Sequence, residues 1–257
     1  MDLKPHRNDY WLNAPERDAE EFDGQVKTVC DLYREAPELH AQGVHLMSTD
    51  EKTGIQALER AAPSKPMRPG VAGQASRIER QEYEYIRHGT QCLIANFEVA
   101  TGKQIAPSIG ATRTEEDFLA HIAQTVNTAP KDEWIFITDQ LNTHQSESLV
   151  EWVAQSIGFT GDLGEKGKIG ILKSMSTRTE FLANVEHRIR FVYTPKHCSW
   201  LNQVEMWFSI LVRRLLKRAS FTSTDELRQR ILEFIEYFNK TLAKPFKWTY
   251  KGRPLMA

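Results

Sequence analysis

Three acidic side chains stand where an α/β sheet usually builds a catalytic site. Asp50 follows the apolar run 44–49, Asp139 follows the apolar run 134–138, and Glu205 lies near the start of a predicted helix. Carboxylates at the C-terminal ends of buried strands meet at one edge of a sheet. Their oxygens suit Mg²⁺ or Mn²⁺, and two such ions about 4 Å apart support an in-line phosphoryl displacement.

Each of the three acids also has a purely structural interpretation. Asp50 would then start the polar turn 50–54, and Asp139 would cap a loop or the following helix. Glu205 would lie on a solvated helix face. The spacing does not prove that the three carboxylates converge, so the choice depends on the surrounding motifs.

Three polar residues beside these acids are candidates for support. His144 would contact a scissile phosphate or orient water, or else make only a local hydrogen bond at a helix start. Asn202, three residues before Glu205, is expected to cap the helix or to support Glu205 rather than to bind metal. Glu51 is expected to be a solvated turn residue.

A basic ridge is predicted on the helix that follows Glu205. Its two i,i+4 pairs are Arg213 with Lys217 and Arg214 with Arg218. Leucines on the same helix would pack inward and leave the ridge free to contact DNA phosphates. The alternative is a face that only keeps the protein soluble.

Composition bounds the class of protein but conceals an uneven charge. The 257 residues carry a net charge of −1, with 40% hydrophobic and 26% charged residues, which excludes a fully disordered chain. No apolar run is long enough for a membrane span, and three scattered cysteines suggest a reducing, cytoplasmic compartment. Residues 1–50 hold five Lys and Arg against eleven Asp and Glu, whereas 188–257 hold fourteen against five. Such a basic block is typical of nucleic-acid binding.

Apolar periodicity predicts a hairpin-rich first half and alternating strands and helices after it. A helix over 26–35 should end at Pro37, and the strand 44–49 should turn at 50–54 into a returning strand 55–61. The aromatic residues Phe246, Trp248 and Tyr250 are expected to close the core rather than to stack on bases. The other predicted elements are a loop at 62–82, strands at 91–99, 104–109, 134–138 and 190–193, and helices at 114–126, 146–157, 201–217 and 223–239.

Two acidic motifs and the C-terminal segment resemble a known family. DQLNTH (139–144) and SWLNQVE (199–205) are similar to the second and third acidic motifs of DDE-type transposases, above all bacterial insertion-sequence transposases related to the mariner superfamily. STDEKTGIQA (48–57) matches the first motif, and YFNKTLAKPFKWTYKGRPL (237–255) is similar to the end of that group. The resemblance covers about 43–254.

The resemblance implies an RNase H-like mixed sheet flanked by helices, spanning 43–257 after a lead-in, 1–42, of one or two helices. It implies that Asp50, Asp139 and Glu205 bind two Mg²⁺ or Mn²⁺ ions. The activity would be DNA strand cleavage followed by 3′-hydroxyl strand transfer. The partners would be double-stranded DNA, as transposon ends and target, and a second copy of the chain, in the bacterial cytoplasm near the nucleoid.

Three features depart from the family pattern. The interval from Asp139 to Glu205 is long, which predicts an insertion at about 158–187. Gln140 stands where many relatives have Asn. The chain is too short before 43 for a helix-turn-helix module, so an isolated or truncated catalytic domain is expected.

Two other functions compete with the transposase hypothesis. One is a catalytically idle or domesticated module that only binds DNA. The other is an RNase H-like nuclease that acts on RNA–DNA hybrids.

Overall fold

A computed structural model describes residues 19–80, 82–196 and 198–250. Residues 1–18 of the predicted lead-in, and the end of the C-terminal motif from residue 251, lie outside these ranges. None of the helices in the described part of the chain has the length and apolarity needed to span a membrane.

Five strands form one mixed sheet in the order β3-β2-β1-β4-β5. β1 pairs antiparallel with β2, and β2 pairs antiparallel with β3. β4 lies parallel to both β1 and β5. The C-terminal ends of β4 and β5 therefore lie side by side, next to the middle of the longer β1. The strands are β1 (Val44–Arg60), β2 (Tyr85–Glu98), β3 (Ser108–Gly110), β4 (Glu133–Thr138) and β5 (Ile189–Tyr193).

Helices cover both faces of this sheet because successive strand residues point to opposite sides. Leu93 and Phe97 of β2 pack with α5 and α6, whereas Ile94 packs with α2 and α3 on the other face. The predicted class, a mixed α/β sheet flanked by helices, is confirmed. The helices are α1 (Ala19–Ala41), α2 (Glu115–Val126), α3 (Glu147–Ile157), α4 (Met175–Leu182), α5 (Gln203–Leu211) and α6 (Thr224–Thr241).

Local capping signals fix three of these helices where the sequence predicts them. Thr114 caps α2 in a reciprocal arrangement with Asp117, Ser146 caps α3, and Ser223 caps α6. Each cap oxygen accepts a backbone N–H that the first helical turn leaves without an internal partner. Sequence and structure agree at these ends because the capping interaction involves only neighbouring residues.

The predicted end of the first helix at Pro37 is wrong. α1 continues through Pro37 to Ala41. The apolar face of α1, which includes Val29, Tyr33 and Ala36, is buried against the start of β1 and against β4. This burial outweighs the single backbone hydrogen bond that proline cannot donate.

The predicted turn after Asp50 is also wrong. β1 runs without reversal to Arg60, and its register against β2 shifts between Lys52 and Ile55. Gly54, with φ of 64°, lies within this irregularity, so the polar residues mark a bulge and not a turn. Asp50 therefore lies within a long strand.

The predicted helix over 201–217 is divided into three parts. A 3₁₀ turn, Ser199–Leu201, precedes α5, and a π-helical segment, Val212–Leu216, follows it. The Lys217 N–H closes this segment by donating to the carbonyl oxygen of Val212 at 2.9 Å. π-Helical segments inside α-helices are often found at functional sites.

The regions expected to be irregular have partial order. Between β1 and β2 the chain forms an exposed arm, within 61–84, held by isolated bridges such as Lys65 to Arg80 and Arg68 to Arg77. In the region 158–187, α4 buries Phe181 and Leu182 in the core.

The turn after β2 requires glycine, because a Cβ on Gly102 would lie 2.1 Å from the Lys244 backbone.

The aromatic tail closes the core, as predicted. Phe246 stacks on Phe97 at a ring-centroid distance of 4.6 Å, and Trp248 meets the ring of Tyr33 edge-on at 4.9 Å. Trp200 is half exposed and contacts Tyr250. These rings tie the C-terminal segment to α1 and β2, across one face of the sheet.

Candidate active site

The C-terminal edge of the parallel strands holds a cavity of about 500 Å³. Asp50 of β1 and Asp139, directly after β4, line it from two neighbouring strands. Asn202, directly before α5, lines it from the helix side. Two of the three acids from the predicted set therefore share one cavity, at the edge where a parallel sheet is expected to place its site.

Electrostatics link the third acid to the same place. Burial, the nearby charge of Asp139 and the charges of Glu51 and Glu205 together raise the pKa of Asp50 to about 7. Like charges act in this way only at close range, because each ionised carboxylate makes ionisation of the next more costly. The structure thus places Asp50 and Asp139 in one cavity, with the charge of Glu205 acting on Asp50.

Asn202 supports Asp50 and not Glu205. It occupies the N-terminal cap position of α5, but its side chain makes no capping hydrogen bond. Its amide nitrogen donates to the carbonyl oxygen of Thr49 at 2.9 Å and to Oδ2 of Asp50 at 3.3 Å. Ser48 caps the helix instead, accepting the N–H of Val204 at 2.8 Å while donating to Asn202.

His144 is fully buried between two carboxylates. Its Nδ1 lies 2.8 Å from Oδ1 of Asp139, and its Nε2 lies 2.9 Å from Oε1 of Glu51. Tyr193 fixes the turn by donating its hydroxyl to the His144 carbonyl at 2.9 Å. Because the ring is 0% exposed, contact with a DNA phosphate is excluded in this conformation, and the ring positions Asp139.

The two carboxylates set the charge of this histidine. Burial alone would lower the pKa of His144, but hydrogen bonds and charges from Asp139 and Glu51 raise it to about 9. Burial alone would likewise raise the pKa of Asp139, but its contacts with His144 hold it below the ordinary value. Asp139 is therefore ionised at neutral pH, beside a protonated imidazole.

The expectation that Glu51 is a solvated turn residue is wrong. Its side chain is 3% exposed, on the face of β1 opposite to Ser48 and Asp50. The physical reason is that β1 continues through this position, so the alternation of side chains sends Glu51 toward α2 and His144. The sequence did indicate that Glu51 lies near the site, since it directly follows Asp50, the acid of the first motif.

Other residues of the cavity were not predicted. Lys196 lines it and is the cation closest in sequence to the third motif, and Thr194 and Ser199 line it as well. Gln140 donates from Nε2 to the carbonyl oxygen of Thr194 at 3.1 Å, so it ties the loop after β4 to the end of β5. Gln140 thus orders the loop that carries Asp139.

The predicted basic residues lie beyond the acids on the same helical segment. Arg213 and Arg214 lie in the π-helical turn and line a second cavity of about 560 Å³ with Lys244. Lys217 and Arg218 follow in an exposed turn. The structure therefore divides the predicted ridge into two arginines at a cavity and two cations beside it.

The donor set at the first cavity fits a hard divalent cation. Asp50 and Asp139 line this cavity and Glu205 acts on Asp50 by its charge, and all three supply only oxygen. Burial and these like charges raise the pKa of Asp50, and a bound cation would relieve both effects. The histidine is occupied by Glu51 and Asp139, so it does not compete as a nitrogen ligand.

Comparisons with known proteins identify the family. The family model described as DDE superfamily endonuclease matches residues 46–228. No curated protein matches the sequence significantly.

Solved structures of the Mos1 mariner transposase share the fold, which is RNase H-like as predicted. A pre-cleavage Mos1 transpososome matches with a TM-score of 0.53 at 11% identity, over 90% of this chain and 59% of that chain. The Mos1 paired-end complex with Mn matches at 0.52 and 12% identity, with the same two coverages. The Mos1 catalytic domain matches at 0.50 and 10% identity, over 88% of this chain and 85% of that one.

This chain thus spans about three fifths of the Mos1 chains in the transpososome and the paired-end complex, and most of the catalytic domain. The family model covers well over half of the chain and includes all three acids. The chain belongs to the DDE superfamily endonucleases.

Proposed function

We propose that this chain is the catalytic core of a DNA transposase, which cleaves a DNA strand with water and then joins the freed 3′-hydroxyl to target DNA. The observation that carries the proposal is that Asp50 and Asp139 share one cavity and that the charge of Glu205 acts on Asp50, a repulsion that a divalent cation relieves. The similar solved structures are of a transposase, among them a paired-end complex and a strand transfer complex.

Asp50, Asp139 and Glu205 would hold two Mg²⁺ or Mn²⁺ ions. When bound, such ions activate the attacking oxygen and stabilise the leaving oxygen of a phosphodiester. In both steps an incoming oxygen forms a bond to phosphorus while the bond to the leaving oxygen breaks. Both are phosphoryl transfers, in which positioning and charge neutralisation dominate.

The protein's own contribution is to hold the carboxylates before substrate arrives. Asn202 orients Asp50 through Oδ2, and His144 orients Asp139 through Oδ1. Because His144 stays protonated through neutral pH, Asp139 presents an ionised carboxylate. Both supports are buried, so these carboxylates lose little freedom when a cation or substrate binds.

DNA would reach the site along the basic segment that follows α5. Arg213, Arg214, Lys217 and Arg218 are all exposed, and Arg213 lies eight residues after Glu205. These side chains would contact the phosphate backbone without reading sequence.

The active unit would be a homodimer on DNA. The exposed arm carries solvent-facing apolar side chains, among them Met67 at 72% and Ile78 at 79% exposure, which a second copy would cover. Sedimentation with and without DNA tests this part of the proposal. A monomer in both conditions would contradict it.

We further propose that the chain divides into a lead-in up to residue 42, a catalytic domain from 43, and an insertion at about 158–187. We also propose the bacterial cytoplasm as its compartment. The three cysteines, Cys30, Cys92 and Cys198, are buried and free, which fits a reducing environment.

The experiment is a nicking assay on supercoiled plasmid with Mg²⁺, paired with strand transfer of an oligonucleotide ending in a 3′-hydroxyl. We expect Asp139→Asn and Glu205→Gln each to reduce both activities by roughly a thousandfold or more, since each removes a metal ligand. Glu151→Gln, on the exposed face of α3, is the matched control and should retain activity.

Three outcomes would reject the proposal. Full activity in Glu205→Gln would remove the third acid from the mechanism. Salt-sensitive DNA binding without cleavage under any divalent condition would favour the idle DNA-binding module, and cleavage confined to RNA–DNA hybrids would favour the nuclease. Neither rival is favoured by the family match.

A further inference from the structure

A second group of metal-ligating side chains lies at the opposite end of the sheet from the acids. His45 is the second residue of β1, Glu98 is the last residue of β2, and His40 lies in the last turn of α1. His45 and Asp50 are five residues apart on β1, about 17 Å at the usual rise of a strand. The two groups are therefore separate sites.

One carboxylate oxygen lies between the two imidazoles. Oε1 of Glu98 is 2.7 Å from Nδ1 of His45 and 3.6 Å from Nδ1 of His40. The three ligand atoms all lie within 4.8 Å of one another. Four ligands at about 2.0–2.1 Å from a tetrahedral zinc ion lie about 3.3 Å apart, so these spacings bracket what the ion requires.

The group contains a polar atom whose burial needs an explanation. Nδ1 of His40 is shielded from solvent and has no hydrogen-bond partner among the residues that the structure describes. Glu98 has a 5% exposed side chain, and its other oxygen, Oε2, already accepts the hydroxyl of Thr101. A cation bound beside Oε1 of Glu98 would give Nδ1 of His40 a partner.

His45 is oriented as a metal-binding histidine usually is. Its second nitrogen, Nε2, lies 3.1 Å from Oδ2 of Asp132, and its ring stacks on Trp134 at 4.3 Å. A carboxylate that accepts the proton on one ring nitrogen leaves the lone pair of the other for a metal. Coordination through Nδ1 thus leaves the proton on Nε2, facing Asp132.

We propose that His40, His45 and Glu98 form a zinc site, distinct from the DDE acids, that fastens the end of α1 to β1 and β2. Two imidazoles and one carboxylate suit Zn²⁺, whereas Mg²⁺ prefers oxygen ligands alone. The exposed edge of His40, whose side chain is 39% accessible, leaves the fourth position to water.

The test is Zn²⁺ binding to the full chain after treatment with a chelator. The chain carries Asp50→Asn and Glu205→Gln, so that the acidic site does not take up the ion. Affinity is measured by competition with a chromophoric zinc indicator, and Co²⁺ absorption in the visible range reports the ligand geometry. We expect one equivalent of Zn²⁺ to bind. We expect the bound Co²⁺ to absorb visible light with the intensity of a tetrahedral site.

Variants assign the ligands. His40→Gln and His45→Gln should each weaken Zn²⁺ binding more than tenfold, and Asp132→Asn should weaken it about tenfold through its effect on His45. His88→Gln is the control, because His88 pairs with Glu59 on the exposed part of β1 and β2. His40 lies at a half-exposed helix end, so its variant folds even if His45→Gln does not.

Two results would overturn the proposal. One is the absence of stoichiometric Zn²⁺ binding by the parent chain. The other is an unchanged affinity in His40→Gln together with an unchanged Co²⁺ spectrum. Since the test needs neither DNA nor cleavage, its outcome is independent of the proposed transposase activity.

Discussion

At each end of the sheet a histidine lies between two carboxylates, but the further groups beside it differ. At the acidic end His144 lies between Asp139 and Glu51, and at the other end His45 lies between Glu98 and Asp132. The acidic end adds two further carboxylates, whereas the other end adds a second imidazole, His40. The additional groups determine which cation each end suits. Additional carboxylates favour a hard cation, and an additional imidazole favours zinc.

Burial also differs between the two histidines. His144 is 0% exposed and His45 is 17% exposed. A charge pair deep in the protein is costly to break, because the partner left behind cannot be solvated. The comparison therefore predicts unequal effects for the same substitution at the two ends.

The largest expected effect is the loss of stability on replacing His144. His144→Gln leaves Glu51 buried without its partner and should lower the free energy of unfolding by about 3 kcal/mol or more. His45→Gln should lower it by about 1–2 kcal/mol. His88→Gln, which removes an exposed pair, should lower it by less than about 0.5 kcal/mol. Urea unfolding at pH 7 measures all three, and equal losses at His144 and His45 would contradict the comparison.

The second effect is a dependence of stability on pH. Because the folded pKa of His144 is raised from 6.5 to about 9, its contribution is fully present below pH 6.5 and is lost as pH rises through 9. The loss should be about 3 kcal/mol between these values. Urea unfolding across this range should show the decline in the parent chain and in His88→Gln. His144→Gln should lack this decline, and a decline of the same size there would assign it to another group.

A third, smaller effect separates two acids of the same site. Glu205→Gln should raise the free energy of unfolding by about 1 kcal/mol at pH 8, because it removes a charge that repels Asp50. Asp139→Asn should lower it by about 1–2 kcal/mol, because it removes one partner of His144. Thermal unfolding without divalent ions measures both. If the free energy of unfolding changed in the same direction in both variants, the distinction between a repelled and a paired carboxylate would be wrong.

The smallest effect concerns DNA binding far from either histidine. Arg213→Ala and Arg214→Ala should each weaken binding a few-fold and reduce the slope of log affinity against log salt by about 1. Lys131→Ala, beside Asp132 at the other end of the sheet, is the matched control and should change neither value. Binding titrations at several salt concentrations measure the slopes. An equal change at Lys131 would show that net charge, and not this surface, binds DNA.

Local and periodic features were predictable from the sequence. The caps at Thr114, Ser146 and Ser223 depend on neighbouring residues, and β4 and β5 are marked by apolar runs. The errors arose where distant packing decides. α1 passes Pro37 because its apolar face is covered, and β1 passes Asp50 because β2 pairs with it on both sides of the bulge.

The sequence by itself determined the acids, the motifs that carry them and the family to which the chain belongs. Only the tertiary structure decided which side chains support those acids. Asn202 turned out to hold Asp50, and Glu51 to hold His144, across separations of 152 and 93 residues. The group of His40, His45 and Glu98 likewise exists only in the fold. The physical reason is that sheet pairing brings distant residues to one edge, and burial then sets their charges.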